Sequence, residues 1–365
     1  MRRFLLVILV LFAALFGYLL LAPIALEPVA WQPLPAPSSV VGPYARNELL
    51  KGIERIARNF GKGPEAVAFD QQGRVYTGFD DGRVARFEAD GSGATLLANT
   101  GGRPLGVFVH PDGSVIVCDA DKGLLKIDRN GQIAVLSTTA DGVSYRFTDD
   151  LAVSQDGSKV YFTDASSKFG YGHSTDDIVE HAGHGRFLVY DFATGQATVL
   201  LKDMQFSNGV ALGPDEAFVL VNETGLYRIV RYWLKGEKAG TSDIFADNLP
   251  GFPDNITFNG KDRFWVALYA PRTPIVDGLA GYPYLRKMVM RALRFLPPPV
   301  KPQAFALAFD PQGALVANLQ YDGADAYFPI TSVREHPSGY LYFGSLTADS
   351  LGRMKAPEGR TGVGH

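Results

Sequence analysis

Glu65, Asp149, Asn208 and Asp254 each stand eight residues ahead of the same position in a repeated turn, marked by Gly73, Gly157, Glu216 and Asp262. Two further copies place Gly113 and Gly339 at that turn position, and the same step back reaches Leu105 and Thr331. Four of these six equivalent places therefore carry a carboxylate or amide oxygen. Three carboxylates and an amide brought to one point repel one another unless a cation lies among them. Hard oxygen donors without His or Cys select calcium, or another divalent cation of that kind, over zinc. Asp and Asn also favour the turns that precede strands, which explains any one of them singly. Glu65 has no such preference, and the shared offset makes the four a set.

The elements that must position them are hairpins. "PEAVAFDQQGRVYTGF", "PLGVFVHPDGSVIVCD", "TDDLAVSQDGSKVYFTD", "SNGVALGPDEAFVLVN", "PDNITFNGKDRFWVAL" and "ITSVREHPSGYLYFGS" are copies of strand, tight turn and strand. Several run on into a third strand. Six such units with no long helical period predict an all-β, six-bladed β-propeller over 49–356. The segment 47–56, ahead of the first unit, is placed to close the last blade, and 357–365 reads as a flexible tail. In a propeller the innermost strands face the axis, so the ring residues face a central channel, with Leu105 and Thr331 lining it. Strand alternation turns Asp150 away from Asp149, as a turn or blade-contact residue behind the ring.

Residues 4–22 contain no charge, and 19 residues of helix span roughly 28 Å, about the thickness of a bilayer core. The expected domain order opens with a transmembrane helix over 1–22, followed by a proline-rich, extended linker over 23–48. Arg2 and Arg3 predict a cytoplasmic amino terminus, with the propeller on the periplasmic, lumenal or extracellular side. A cleaved signal peptide is the rival reading of the same stretch. A net charge of −3 gives no basic footprint for nucleic acid, and one cysteine, Cys118, excludes an intrachain disulfide.

"GPEAVAFD", "FTDDLAVSQDGSKVYFTDASSKF", "FSNGVAL", "VNETGLYRIVRYWLKG" and "PGFPDNITF" resemble the strictosidine synthase-like family over residues 45–355. More distantly the ring is similar to that of paraoxonases and of the gluconolactonase and senescence marker group. That resemblance implies a catalytic calcium on Glu65, Asn208 and Asp254, with Asp149 where the hydrolytic relatives carry Asn, and Asn255 close behind. It also implies two departures. Thr331 replaces the glutamate used for amine–aldehyde condensation, which argues against Pictet–Spengler chemistry. Leu105 replaces the histidine that activates water in paraoxonases. What remains is a calcium-dependent hydrolase of esters or lactones, with Asp254 or Asp149 as base and Asp150 behind them. The rival from another class is a non-catalytic, membrane-anchored propeller with a structural calcium, binding a protein or lipid partner.

Other residues take plainer readings. His110 and His336 sit at turns and are expected to be exposed. His181 and His184 have zinc-like spacing, but their glycine-rich insertion lacks an evident fourth ligand and is expected to overhang the channel mouth. Residues 284–296 read as a short basic amphipathic helix, lying on a membrane surface, lidding the site or packed outside the blades. Glu223 reads as structural, paired with Arg228 or Arg231.

Overall fold

The computed structural model describes residues 1–295 and 301–363. Six four-stranded antiparallel sheets are arranged as blades, each following the strand order of the sequence except the sixth. The six inner strands are Ala68–Phe69, Pro104–Val109, Thr148–Val153, Ser207–Leu212, Gly251–Phe258 and Ser332–His336. Blade 6 takes its outermost strand from Glu54–Ile56, which pairs antiparallel with Leu351–Lys355 and joins the two ends of the propeller. The closing strand is shorter than the expected 47–56, because only its last three residues pair.

One apolar cluster fills each gap between neighbouring sheets. Val107, Val117 and Ala68 join blades 1 and 2; Phe162, Leu151 and Ile116 join blades 2 and 3; Phe343, Val333 and Trp265 join blades 5 and 6. Burial between sheets supplies the radial cohesion, while backbone pairing acts only within each blade. Near the axis the inner strands come very close. A Cβ on Gly209 would meet Asp254 O at 2.6 Å, and one on Gly106 would meet Asp149 O at 2.7 Å. Glycine at these two places is required by backbone approach.

The inner strands of blades 2 to 5 share a break in pairing register, between Pro104 and Val107, Thr148 and Leu151, Ser207 and Val210, and Pro253 and Ile256. Bulges of this kind re-aim consecutive side chains.

Among the described residues four α-helices lie outside the sheets: α1 (Arg2–Leu21), α2 (Ser174–Glu180), α3 (Pro274–Gly278) and α4 (Pro283–Leu293). Helix α1 is long and apolar enough to cross a membrane, and none of its residues is buried. The expected helix over 284–296 is α4; Leu296 lies outside the described residues. Its basic residues do not share one outward face: Arg286 and Arg291 are buried, Lys287 is half-buried and Arg294 is exposed. Nor does the segment after α1 extend freely. Val29 N donates to Glu180 O at 2.8 Å, Trp31 N to Ala280 O at 3.2 Å, and the Trp31 ring stacks on His181 at 4.0 Å. Farther along, Asn318 Nδ2 donates to Pro43 O and Ala45 O. Paired backbone and a stacked indole hold this stretch on the propeller.

Candidate functional site

Glu65, Asp149, Asn208 and Asp254 come together at the floor of one cavity of about 240 Å³ on the face where the inner strands begin. All four are buried. Leu105 lines the same cavity, as expected, together with Phe147, Phe206, Phe252 and Leu346. The insertion carrying α2 does overhang the axis, and Ile178 and Val179 of that helix and Val276 of α3 complete the walls. The result is an oxygen-lined floor under apolar sides. A larger groove of about 790 Å³ lies at the opposite ends of blades 1 to 3, among Arg74, His110 and Arg129, and contains no ring residue. Size alone does not select the site; converging buried polar groups do.

Asn255 Nδ2 donates to Glu65 Oε1 at 2.7 Å, tying blade 5 to blade 1. Asn222 Nδ2 donates to Asp254 O at 2.5 Å and fixes the backbone of that ring position. Three buried oxygens, Glu65 Oε2, Asn208 Oδ1 and Asn255 Oδ1, have no hydrogen-bond donor among the described residues. Burial and then the Asp150 charge push the Glu65 carboxyl up to about 8, with Arg103 acting against them. Burial and then the Glu65 charge likewise hold Asp149 and Asp254 well above the ordinary carboxylate range. An anion cluster so strained for want of positive charge, with buried oxygens left unbonded, fits a hard divalent cation. Among the described residues no three His, Cys, Asp or Glu side chains form a metal cluster by themselves. The amide oxygen of Asn208 would join the carboxylates in such a ligand set, with Asn255 holding Glu65 from behind.

Two expectations need correction. Asp150 does not turn away from the axis. The register break after Thr148 leaves it lining the channel beneath the ring, a space of about 180 Å³ shared with Arg334 and Asn255. Its Oδ2 accepts Val210 N at 2.9 Å, so it is also the expected contact between blades. Burial raises its carboxyl to about 7. Thr331 does not line the cavity; its Oγ1 donates to Glu65 O at 2.9 Å and closes the seam between blades 6 and 1.

His110, His336, His184 and His181 take structural places. His110 and His336 are not exposed: their Nε2 atoms bond Gly157 O and Gly73 O, each linking the turn of one blade to the turn of the next. His184 Nε2 bonds Glu180 Oε1, which Lys168 also holds, whereas His181 turns to Trp31. Glu223 pairs with Arg228 at 2.6 Å, and Arg231 pairs with Asp243 instead. Asp119, Asp164 and Glu223 end the second strands of blades 2 to 4, where they accept the backbone N–H of Arg103, Phe147 and Gln205. These acids are punctuation; the ring acids, one strand inward, are not.

Asn222 and Arg103 escaped the sequence reading. Asn222 interrupts the apolar run "FVLVN", and a polar residue on a fully buried strand is the signal that marks it. Arg103 lies two residues before a ring place that carries only leucine, is buried, and donates to Gly63 O at 2.9 Å. Its charge lowers the Glu65 and Asp149 carboxyls.

A propeller of six blades with an acidic, oxygen-floored well on its axis defines the class of protein. The family model described as Strictosidine synthase matches residues 149–237, and that described as Strictosidine synthase-like, N-terminal, matches 42–87. The adipocyte plasma membrane-associated protein of Salmo salar is 34% identical over 355 residues, covering 88% of this chain and 82% of that one. The chain belongs to the strictosidine synthase-like family. Among solved structures, a gluconolactonase from Xanthomonas campestris has a TM-score of 0.60 at 16% identity, covering 91% of this chain and 100% of that one. The calcium-binding protein regucalcin from Agrobacterium tumefaciens has a TM-score of 0.58 at 14% identity, covering 84% and 94%. At these identities the likeness is one of fold.

Proposed function

We propose that the protein is a membrane-anchored hydrolase of esters or lactones that depends on calcium or a similar divalent cation. The observation that carries this reading is the set of unbonded buried oxygens on Glu65, Asn208 and Asn255 beside the Asp149 and Asp254 carboxyls, at the floor of an apolar-walled cavity. The names of the structural neighbours, a gluconolactonase and a calcium-binding protein, support it. Glu65, Asp149, Asn208 and Asp254 would hold the ion, with Asn255 orienting Glu65. When bound, such a cation polarises a carbonyl and favours negative charge on its oxygen.

The remaining steps belong to this chain. Asp149 and Asp254 line the cavity, and either would take a proton from a water that attacks the carbonyl carbon. As the acyl–oxygen bond breaks, the same carboxyl returns that proton to the departing alkoxide. Phe147, Phe206, Phe252 and Leu346 hold the organic part and exclude bulk water. Thr331 and Leu105 offer neither acid nor base, which argues against amine–aldehyde condensation.

The test is turnover of a panel of aryl esters and lactones by the purified full-length protein, with and without chelator, against Asp254→Asn. Hydrolysis abolished by chelator and reduced by at least about 100-fold in the variant supports the reading. A protein that binds calcium yet turns over nothing in the panel supports the rival, in which the ion is structural.

A further inference from the structure

We infer that the cavity opens onto the membrane surface, and that its substrates are amphiphilic esters or lactones drawn from the bilayer interface; the substrate class rests on the hydrolase reading above. Helix α4 is the ruler. Arg291 donates through Nε to Ala22 O and through Nη1 to Leu19 O, both at 2.7 Å, so it clasps the end of the apolar helix α1. Five residues earlier on α4, Arg286 donates through Nη1 to Val179 O of α2 at 2.5 Å. Val179 lines the cavity. Five residues of helix rise about 7.5 Å, so the cavity roof and the end of α1 are held about one and a half turns apart.

The surface around that junction is apolar. Ile275 is 68% exposed beside the cavity-lining Val276, and Phe295 is 65% exposed, its ring 5.4 Å from that of Tyr18 on α1. Tyr284 Oη donates to Leu20 O at 2.6 Å, and Tyr282, Tyr284 and Leu285 are exposed. Apolar residues gathered at one place mark a contact surface, where single scattered ones do not. The occupant follows from α1, whose exposed Phe4–Phe16 side chains require hydrocarbon around them. A bilayer that takes α1 brings its interface to α4 and α3, where tyrosines are favoured. With Arg286 and Arg291 turned inward and only Lys287 and Arg294 left unburied, contact here is by apolar insertion more than by attraction to anionic lipid. Tyr171 and Tyr269 both line the cavity and reach the surface, so its opening lies beside them. A substrate whose acyl chain stays in lipid while its carbonyl reaches the floor matches this layout.

Cys118, the one cysteine, is buried, so an introduced cysteine can be labelled selectively. The full-length chain in nanodiscs, carrying Ile275→Cys or Leu285→Cys with a polarity-sensitive dye, is compared with Val135→Cys on an outer strand of blade 2. A lipid-borne quencher is expected to quench the first two at least about threefold more than the third. Equal quenching overturns the proposal. In the second arm, lactones bearing chains of roughly four to twelve carbons are added to protein in vesicles; kcat/KM is expected to rise by about tenfold or more with chain length. Ile275→Asp is expected to remove that gain while leaving the shortest, soluble lactone unaffected. Hydrolysis without any gain overturns membrane feeding and leaves the hydrolase reading intact. If no lactone is turned over, the hydrolase reading and the substrate class fall together, while the dyes still decide which way the cavity faces.

Discussion

Asp149 and Asp150 are adjacent in the chain and face two compartments of one channel. Asp149 reaches the cavity floor with Glu65 and Asp254; Asp150 lies beneath, bonded to Val210 N and sharing its space with Arg334. These carboxyls, buried together, retain protons in the folded state that the unfolded chain releases. For Glu65 the relevant window runs from its ordinary 4.5 to about 8. Within it the folded state binds more protons than the unfolded one, so stability of the cation-free protein falls as pH rises. A bound divalent cation favours the ionised forms and opposes that trend. The melting temperature without calcium is therefore expected to be lower at about pH 8 than at about pH 5, and calcium to raise it more at the higher pH. A melting temperature that ignores calcium at both pH values would contradict this.

The inner strand and its turn are the elements that made the ring legible. Gly73, Gly113, Gly157 and Gly339 all hold positive φ at the ruler position. In blade 5, where Asp262 takes that place, the Asn259 side chain accepts its N–H in lieu of a backbone carbonyl. The spacing to Asp254 survives because the Asn259 side chain closes the turn over the same number of residues. Alternation failed at Asp150 because the pairing slips between Thr148 and Leu151, and nothing in "TDDLAV" announces a bulge. Helix α2 was not legible either: its seven residues, 174–180, are held in place by contacts distant in sequence, with Glu27, Val29, Trp31 and Arg286 all bonded to or packed on its C-terminal end. Trp31→Ala removes the indole stacked on His181, so the cavity roof should loosen while the blades do not. Hydrogen exchange is expected to quicken by at least about tenfold at residues 176–181 and to stay unchanged in the inner strands. Unchanged protection of α2 would show that the segment after α1 does not brace the roof.

At the scale of the molecule, the ring is closed by a strand that precedes the first blade. Glu54–Ile56 pairs with Leu351–Lys355, and Arg353 clamps Glu54 at 2.7 Å. Truncation ahead of residue 47 leaves this seam intact. Truncation through Ile56 removes it, exposes Leu351 and Tyr342, and is expected to lower the melting temperature far more, with loss of a single cooperative transition. Equal stability of the two truncations would show that the seam does not hold the ring. The seam matters to chemistry because the floor is assembled from several blades at once: Glu65 from blade 1, Asp149 from blade 3, Asn208 from blade 4, Asp254 and Asn255 from blade 5. The most direct measurement of whether that convergence serves a cation is calorimetric titration of the chelator-treated full-length protein with calcium, beside Glu65→Gln. One ion per chain, with affinity reduced by at least about 100-fold in the variant, is the predicted result. No calcium bound, or equal affinity in both proteins, would contradict it.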